Sequence, residues 1–321
     1  MTRSATLRSV AKINLDLRVL NKREDGFHEL RTIFQTISLA DSIQLSFEPG
    51  RKTSVSLDDP LAIPNNLVVR AANAVLDVSK AKGTVRIRLR KRIPMGGGLG
   101  GGSSNAAAIL LALPALTGCP IPFDQLSALA ATLGSDVPFF LTGGTALALG
   151  RGEELYGLPE IAQEPALIVH SGLHVSTPQA YQDLGRGLTW PDSSRYINDF
   201  RRYVRALEES GSARAVCALS SNDFEPVAFR QFPQLKTLRG KLSKLSGAAR
   251  MTGSGSALFA LFGSLEERAQ VQQRWESFRG VQVMPARLVS RAGYRRLWRK
   301  QLREHIDLKS DIWPPLSRYE P

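Results

Sequence analysis

Six glycines lie within seven positions of this chain, inside the segment PMGGGLGGGSSNAAA at residues 94–108. Each glycine in regular structure costs roughly 0.5–1 kcal/mol relative to alanine, because glycine loses more conformational freedom on folding. The segment follows a stretch in which Val85, Ile87 and Leu89 alternate with arginines, and it precedes an alanine- and leucine-rich run. This order predicts a strand with one solvated face, a glycine loop, and a buried helix capped by Ser or Asn at its start.

The spacing of Gly96, Gly98 and Gly101 matches the dinucleotide-binding pattern GxGxxG, but the surroundings do not. The preceding strand is not apolar on both faces, and no strand ending in an acidic residue follows about 20 positions later. A P-loop is excluded because no lysine follows Gly102. Glycine amides ahead of a helix N-terminus still favour phosphate binding, and the following serines offer hydroxyls to a phosphate or a metal. A flexible surface loop remains the alternative.

The length of 321 residues predicts one large or two ordinary domains, and intermixed strands and helices favour two α+β domains. We expect domains at 1–160 and 161–290, followed by a basic extension at 291–321. Two cysteines and four dispersed histidines argue against a disulfide framework and a structural zinc site. No apolar run reaches about 18 residues, so we expect a cytoplasmic protein that does not span a membrane. The net charge of +13 leaves nucleic-acid binding as a minor alternative.

Hydrophobic periodicity predicts most of the remaining elements. A strand is expected at 6–20, and the segment 33–47 is expected to form two strands with a turn at Asp41-Ser42. Helices are predicted at 67–80 and 123–134, the second ended by Gly134. In the second half the pattern predicts strands near 164–176, 257–262 and 281–289, and helices at 194–209, 213–219, 232–246 and 264–278.

Four motifs in order resemble the GHMP kinases, which include galactokinase, homoserine kinase and mevalonate kinase. They are AKINLDLRVLNKREDGFHEL, the glycine loop, GSDVPFF and MTGSGSALFALF, and the resemblance extends to about residue 290. It implies a ribosomal protein S5 domain 2-like N-terminal domain and a ferredoxin-like C-terminal domain. It also implies ATP as phosphate donor, with Mg²⁺ bridging the phosphate oxygens. The motifs are similar to the branch that phosphorylates the 2-hydroxyl of a cytidine-diphospho-methylerythritol in the non-mevalonate isoprenoid pathway.

The resemblance assigns catalytic roles to two residues. Asp136 falls on the position of the family's catalytic base, although alone it would more often be a turn or N-cap residue. Lys12 is expected to pair with Asp136, the alternative being an edge-strand lysine that reaches solvent. The loop implied to bind the ATP phosphates comprises Pro94, Met95, Gly96, Gly97, Gly98, Leu99, Gly100, Gly101, Gly102, Ser103 and Ser104. Asn66 either helps to place the adenine or simply caps a helix.

Substrate-binding residues are implied by the same resemblance. Phe27 is expected to stack on the cytosine, His28 to contact the edge of the base, and Tyr181 to form the second side of the stack. Asn14 lies on the same strand face as Lys12, so we expect it to reach the same pocket. The turn at Thr252–Ser256 is expected to approach the cleft. The alternatives are a kinase for homoserine, mevalonate or a sugar and, from another class, a non-catalytic nucleic-acid binder. The sequence does not determine the oligomeric state.

Overall fold

Strands and helices are intermixed along the described part of the chain. The computed structural model describes residues 1–188 and 193–319, without the side chains of residues 193 and 195. The strands are β1 Arg3–Lys22, β2 His28–Pro49, β3 Ser54–Asp58, β4 Gly83–Arg90, β5 Thr145–Leu149, β6 Glu154–Gly157, β7 Pro165–His170, β8 Ala249–Met251, β9 Leu258–Leu261 and β10 Gln282–Arg287. The helices are α1 Leu67–Ser79, α2 Gly101–Thr117, α3 Phe123–Leu133, α4 Phe139–Thr142, α5 Thr177–Leu184, α6 Ser193–Ser210, α7 Ala213–Val216, α8 Glu225–Gln231, α9 Pro233–Ser246, α10 Leu265–Glu276 and α11 Arg291–Gln301, with a 3₁₀ turn at Cys217–Leu219.

Two sheets organise these elements. The first has six strands in the order β3-β4-β2-β5-β6, with β1 paired to β2, and the second has four strands in the order β10-β7-β9-β8. The predicted division at residue 160 lies between β6 and β7, where the chain passes from the first sheet to the second. The division into domains stays a prediction. None of the described helices is both long and apolar enough to cross a bilayer.

The predicted turn at Asp41-Ser42 is wrong, because β2 is one continuous strand of 22 residues. Its last part pairs with β4, its first part pairs with β5, and β1 runs along its other edge. The sequence suggested a turn because Asp41 is polar in an otherwise apolar run. In the fold Asp41 is buried, and its carboxylate accepts hydrogen bonds from the amides of Arg92 and Ile93 at 2.7 and 2.8 Å. A buried acid with these partners is compatible with an unbroken strand.

The strand and helix that flank the glycine loop are present as predicted. The inward side chains of β4 are buried and its arginines are exposed. The predicted Ser or Asn cap of α2 is wrong, since the N-cap is Gly100 in the left-handed conformation. The Ser104 hydroxyl donates instead to the carbonyl of Val10 at 2.7 Å, and Asn105 donates to Asp41 at 3.0 Å. These polar side chains therefore attach α2 to the first sheet rather than capping the helix.

Within the described residues, three hydrophobic cores hold the elements together. The first lies between the first sheet and α1–α3, and it includes Tyr294 and Trp298 of α11. The second contains Ile13 and Ile33 from the first sheet together with Phe259 from the second. The third lies on the other side of the second sheet, against α5 and α8–α10. Because the second core draws on both sheets, the two halves of the chain meet across a packed apolar interface.

Candidate active site

A cleft of about 820 Å³ brings together both predicted catalytic residues, the four predicted substrate-binding residues and part of the glycine loop. Lys12, Asn14 and Asp136 line one part of it, and Phe27, His28 and Tyr181 line another. Gly98 and Ser103 of the glycine loop face the same space, as do Gly253 and Ser254 from the second half of the chain. The cleft therefore lies between the two halves, with the glycine loop in its wall.

Lys12 and Asp136 form the charged pair of the cleft. The Lys12 Nζ atom lies 3.4 Å from Asp136 Oδ2, and the lysine side chain is only 5% exposed whereas that of Asp136 is 31% exposed. Lys12 also donates a hydrogen bond of 2.7 Å to Asn14 Oδ1. The pair therefore presents a carboxylate that solvent or a substrate can reach, backed by a buried ammonium.

The backbone of β1 explains how these side chains come to face the cleft. The register between β1 and β2 shifts between Val10 and Lys12, and again between Asn14 and Asp16. Such bulges change the direction of side chains and are frequent beside active sites. Between the two bulges the Lys12 amide donates to the carbonyl of Leu99 at 3.0 Å. The strand is therefore attached directly to the glycine loop at the point where it carries the lysine.

The glycine loop uses its carbonyl groups to bind the rest of the protein. The carbonyl of Gly97 accepts from the amide of Ala257 at 3.3 Å, and the carbonyl of Gly98 accepts from the Thr252 hydroxyl at 3.2 Å. At the start of α2, the N–H groups of Gly101, Gly102 and Ser103 donate none of the backbone hydrogen bonds within the described residues. First-turn amides have no partner inside a helix. The loop thus leaves its N–H donors available, as an anion site requires.

Glycine is required at two loop positions for distinct reasons. Gly98 has a φ of +75°, and a Cβ there would lie 2.2 Å from the carbonyl oxygen of Thr252. Gly100 has a φ of +67°, and a Cβ there would lie 2.9 Å from the ring of Phe140. The loop is therefore pressed between a turn of the second half of the chain and α4 of the first half.

The turn between β8 and β9 does reach the cleft, as expected. The Asn14 amide donates to Thr252 Oγ1 at 3.0 Å, which links this turn to β1. Asn222 supports the turn from behind, since its Nδ2 donates to the carbonyls of Met251 and Gly253 at 2.7 and 2.9 Å. Thr252 thus contacts both the glycine loop and the strand that carries Lys12.

The aromatic residues gather at the other end of the cleft. The rings of His28 and Tyr181 stack with centroids 4.6 Å apart, and Phe27 is 54% exposed. Burial and, secondarily, the charge of Lys22 lower the pKa of His28 below its usual 6.5. Burial raises the pKa of Tyr181, and the charge of Asp136 adds to the shift. The neutral imidazole and the phenol therefore form an uncharged aromatic wall.

Among the residues predicted to bind ATP, Met95, Ser104 and Asn66 do not line the cleft. Met95 is exposed, and the side chain of Ser104 is buried with its hydroxyl bonded to Val10. Asn66 is the N-cap of α1: its Oδ1 accepts from Val68 N at 3.2 Å and its Nδ2 donates to Asp59 at 3.1 Å. Its role toward an adenine stays a prediction.

The sequence analysis missed two charged residues of the cleft, Arg151 and Glu153. The Arg151 guanidinium lies 4.9 Å from the centroid of the Phe27 ring and donates to Glu153 Oε1 at 3.0 Å. Glu153 Oε2 is buried and has no hydrogen-bond partner among the described atoms. The segment GRGEE, in which Arg151 lies between two glycines and Glu153 follows the second, was the available indication of a turn directed at a site. The described residues contain no cluster of three or more His, Cys, Asp or Glu arranged to hold a metal.

Comparison with known proteins identifies this architecture. The pattern of the GHMP kinases N terminal domain matches residues 66–144, and that of the GHMP kinases C terminal domain matches residues 200–281. The 4-diphosphocytidyl-2-C-methyl-D-erythritol kinase of Solibacter usitatus is 49% identical over 331 residues, covering 100% of this chain and 99% of the relative. The enzyme of the same name from Citrifermentans bemidjiense is 40% identical, covering 79% of this chain and 88% of the relative.

Comparison with solved structures leads to the same family. A crystal structure of 4-(cytidine 5'-diphospho)-2C-methyl-D-erythritol kinase superimposes with a TM-score of 0.72 and 38% identity, covering 90% of this chain and 99% of that one. A homoserine kinase from Cytophaga hutchinsonii gives a TM-score of 0.65 at 19% identity over 88% of this chain and 94% of that one, which shows a shared fold alone. The predicted two-domain α+β architecture is confirmed, and the chain belongs to the GHMP kinases.

Proposed function

We propose that this chain transfers the γ-phosphoryl group of ATP to the 2-hydroxyl of 4-diphosphocytidyl-2-C-methyl-D-erythritol, in the non-mevalonate isoprenoid pathway. Relatives that carry this kinase name match up to the full length of the chain. The observation that carries the proposal is the position of the Lys12–Asp136 pair, which shares one cleft with the glycine loop and with an aromatic wall. The cleft thereby combines a loop that can bind phosphate, a carboxylate that can activate an alcohol, and a surface on which a base can stack.

The reaction needs positioning and charge stabilisation more than covalent chemistry. The N–H groups at the start of α2 hold the ATP phosphates, with the partial positive charge of the helix N-terminus behind them. Asp136 accepts the proton of the substrate hydroxyl as that oxygen attacks the γ-phosphorus, and the bond from the γ-phosphorus to the β–γ bridging oxygen breaks to release ADP. Lys12, which is buried beside it, forms an ion pair with Asp136 and stabilises the charge that develops on the transferred group.

Mg²⁺ is proposed as the metal that accompanies ATP. The Ser103 hydroxyl and the Asp136 carboxylate face the cleft and are hard oxygen donors of the kind this ion takes. Mg²⁺ is usually held by one or two such side chains together with substrate phosphates, so this donor set fits. When bound, the ion neutralises charge on the phosphate oxygens.

The aromatic end is proposed to recognise the cytosine. Phe27 and Tyr181 offer ring faces for stacking, which contributes about 1–3 kcal/mol per base. His28 lies against Tyr181, and its neutral imidazole has both a donor and an acceptor nitrogen for the polar edge of a base. Because these side chains offer ring faces and polar contacts to a base, and not a proton acceptor or phosphate-binding groups, they select the substrate without taking part in phosphoryl transfer.

An assay of four acceptors separates this function from the alternatives. Purified protein with ATP and Mg²⁺ is offered the cytidyl substrate, homoserine, mevalonate or galactose, and phosphorylated products are followed by ³¹P NMR. We expect turnover of the cytidyl substrate alone, and none by Asp136→Ala. Turnover of another alcohol in its place would assign the chain to a different substrate. Salt-sensitive RNA binding that survives Asp136→Ala, without turnover of any acceptor, would instead favour the nucleic-acid alternative.

A further inference from the structure

The C-terminal segment, residues 291–319, packs onto the first half of the chain. Tyr294, Trp298, Leu302 and Ile306 are each at most 3% exposed and belong to the core that contains α2 and α4. Its far end is attached as well, since the Ser317 hydroxyl donates to the carbonyl of Ala115 at 2.8 Å. The segment is therefore an integral part of the domain that carries the catalytic pair.

Two side chains of this segment bind the end of α4. The Tyr294 hydroxyl donates to the carbonyl of Phe140, and Trp313 Nε1 donates to the carbonyl of Leu141 at 2.9 Å. The helix α4 is a single turn, and the last carbonyl groups of a helix have no partner within it. The C-terminal segment supplies those partners, so it fixes where this short helix ends.

The C-terminal segment packs directly against the glycine pair that follows α4, with no space for a side chain at either glycine. A Cβ at Gly143 would lie 2.5 Å from the Tyr294 ring, and a Cβ at Gly144 would lie 2.6 Å from the Cβ of Arg291. The Arg291 guanidinium also donates to the carbonyl of Thr145 at 2.7 Å, directly after this glycine pair. The side chains of Tyr294 and Arg291 are thus in direct contact with the backbone of the turn that follows α4.

The helix α4 in turn contacts the catalytic residues. Asp136 lies three positions before α4, in the same compact turn, where the Phe140 amide donates to the carbonyl of Val137 at 3.1 Å. The Phe139 ring lies 5.0 Å from that of Phe34, whose centroid is 4.9 Å from Lys12 Nζ. A shift of α4 would therefore move Asp136 and disturb the packing around Lys12.

We infer that the C-terminal segment is a positioning element of the active site, in which Tyr294 and Trp313 hold α4 and thereby fix Asp136. Neither residue lines the cleft, and both act through α4. The inference rests on the proposed function for the catalytic role of Asp136. It adds to that function a set of supporting residues located more than 150 positions away in the sequence.

The test compares Tyr294→Phe and Trp313→Phe with Ser317→Ala as matched control. All three variants remove a hydrogen bond from the same segment, but Ser317 contacts α2 about 20 Å along the helix from its N-terminus. We expect Tyr294→Phe and Trp313→Phe each to lower kcat about 3- to 10-fold with KM for ATP unchanged, measured well below the melting temperature. A misplacement of 1 Å can cost about 100-fold, so partial loosening of α4 accounts for this size. The control should stay within about 2-fold of the wild type.

Hydrogen exchange gives a second measurement that needs no substrate. The amides of residues 140–143 should exchange faster in Tyr294→Phe than in the wild type, and should be unchanged in Ser317→Ala. Equal kcat in all three variants and the wild type, or a decrease of the same size in the control, would overturn the inference. If the wild type does not turn over the cytidyl substrate, the proposed function fails, whereas faster exchange in Tyr294→Phe alone would still support the bracing of α4 by the segment.

Discussion

The two ends of the cleft are built in different ways. At the phosphate end, backbone groups and buried side chains do the binding: loop carbonyls are bonded to both halves of the chain, and the Lys12 side chain is 5% exposed. At the aromatic end, side chains project from the β1–β2 turn and from α5, and Phe27 is 54% exposed. The first end tolerates little change at Gly98 and Gly100, because a Cβ added at either position meets packed neighbours. At the aromatic end, side chains can be replaced without a change in the backbone that carries them.

This difference indicates where rate and selectivity reside. Transition-state charge must be met by groups that are already in place, which requires a rigid, water-poor surrounding. Recognition of a base needs only a ring face and a few polar contacts, which exposed side chains supply. Changes at the phosphate end should therefore affect kcat or folding, and changes at the aromatic end should affect KM for the cytidyl substrate.

The largest effect is expected from Lys12→Met. Removing the ammonium takes away the cation beside Asp136 and a donor toward the transferred group, so kcat should fall about 10²- to 10³-fold. Steady-state kinetics with ATP and the cytidyl substrate measure this loss. Lys82→Met, the same change at an exposed position, should leave kcat within about 2-fold. A decrease of less than 10-fold in Lys12→Met would show that the buried lysine is not part of the rate-determining machinery.

A pair of glycine variants tests the packing of the loop. Gly98→Ala introduces a Cβ 2.2 Å from the Thr252 carbonyl oxygen at a φ of +75°, and we expect it to reduce the free energy of unfolding by about 3 kcal/mol. Gly102→Ala meets only Leu67 Cδ1 at 3.8 Å and lies within α2, so it should raise the free energy of unfolding by about 0.5–1 kcal/mol. Urea denaturation of both variants measures the difference. Similar free energies of unfolding for the two variants would contradict the tight packing of the loop around Gly98.

Substitution of Tyr181 tests the aromatic end. Tyr181→Ala removes the ring that stacks on His28 and should raise KM for the cytidyl substrate about 10-fold, equivalent to roughly 1.4 kcal/mol. The value of kcat and KM for ATP should change little. Tyr181→Phe keeps the ring face and should remain within about 3-fold of the wild type. An effect of Tyr181→Ala on kcat alone would remove the proposed separation between the two ends.

The smallest effect concerns the titration of His28. Burial first, and the charge of Lys22 second, place the pKa of His28 below 6.5 in the folded protein. The unfolded chain therefore binds the proton more readily, so His28 makes folding less favourable as the pH falls from about 6.5 through its folded pKa. Because the ring is partly solvated, we expect only a few tenths of a kcal/mol. NMR titration of the imidazole should give a pKa below 6.5 that rises in Lys22→Gln, and a wild-type pKa at or above 6.5 would contradict this.

The sequence predicted the phosphate end better than the aromatic end, because the phosphate end is formed by residues that are close together in the sequence. The strand, loop and helix around residues 83–117 follow from alternation, glycine density and an unbroken apolar run. The helix α5, which carries Tyr181, was not predicted, since its eight residues carry few apolar side chains. Asp41 was interpreted as a turn residue because its partners, the Arg92 and Ile93 amides, lie about 50 positions further along the chain.

What the sequence alone determined is the order of most elements, the α+β class, the glycine loop and, through the resemblance, the membership in a kinase family. These properties depend on neighbouring residues and on motif order, which a single chain displays directly. Only the tertiary structure decided that bulges in β1 turn Lys12 and Asn14 toward the cleft, and that Thr252 closes the loop from the other half of the chain. It alone placed the C-terminal segment against α4. These contacts join residues that are remote in sequence, and packing selects them only when the whole chain has folded.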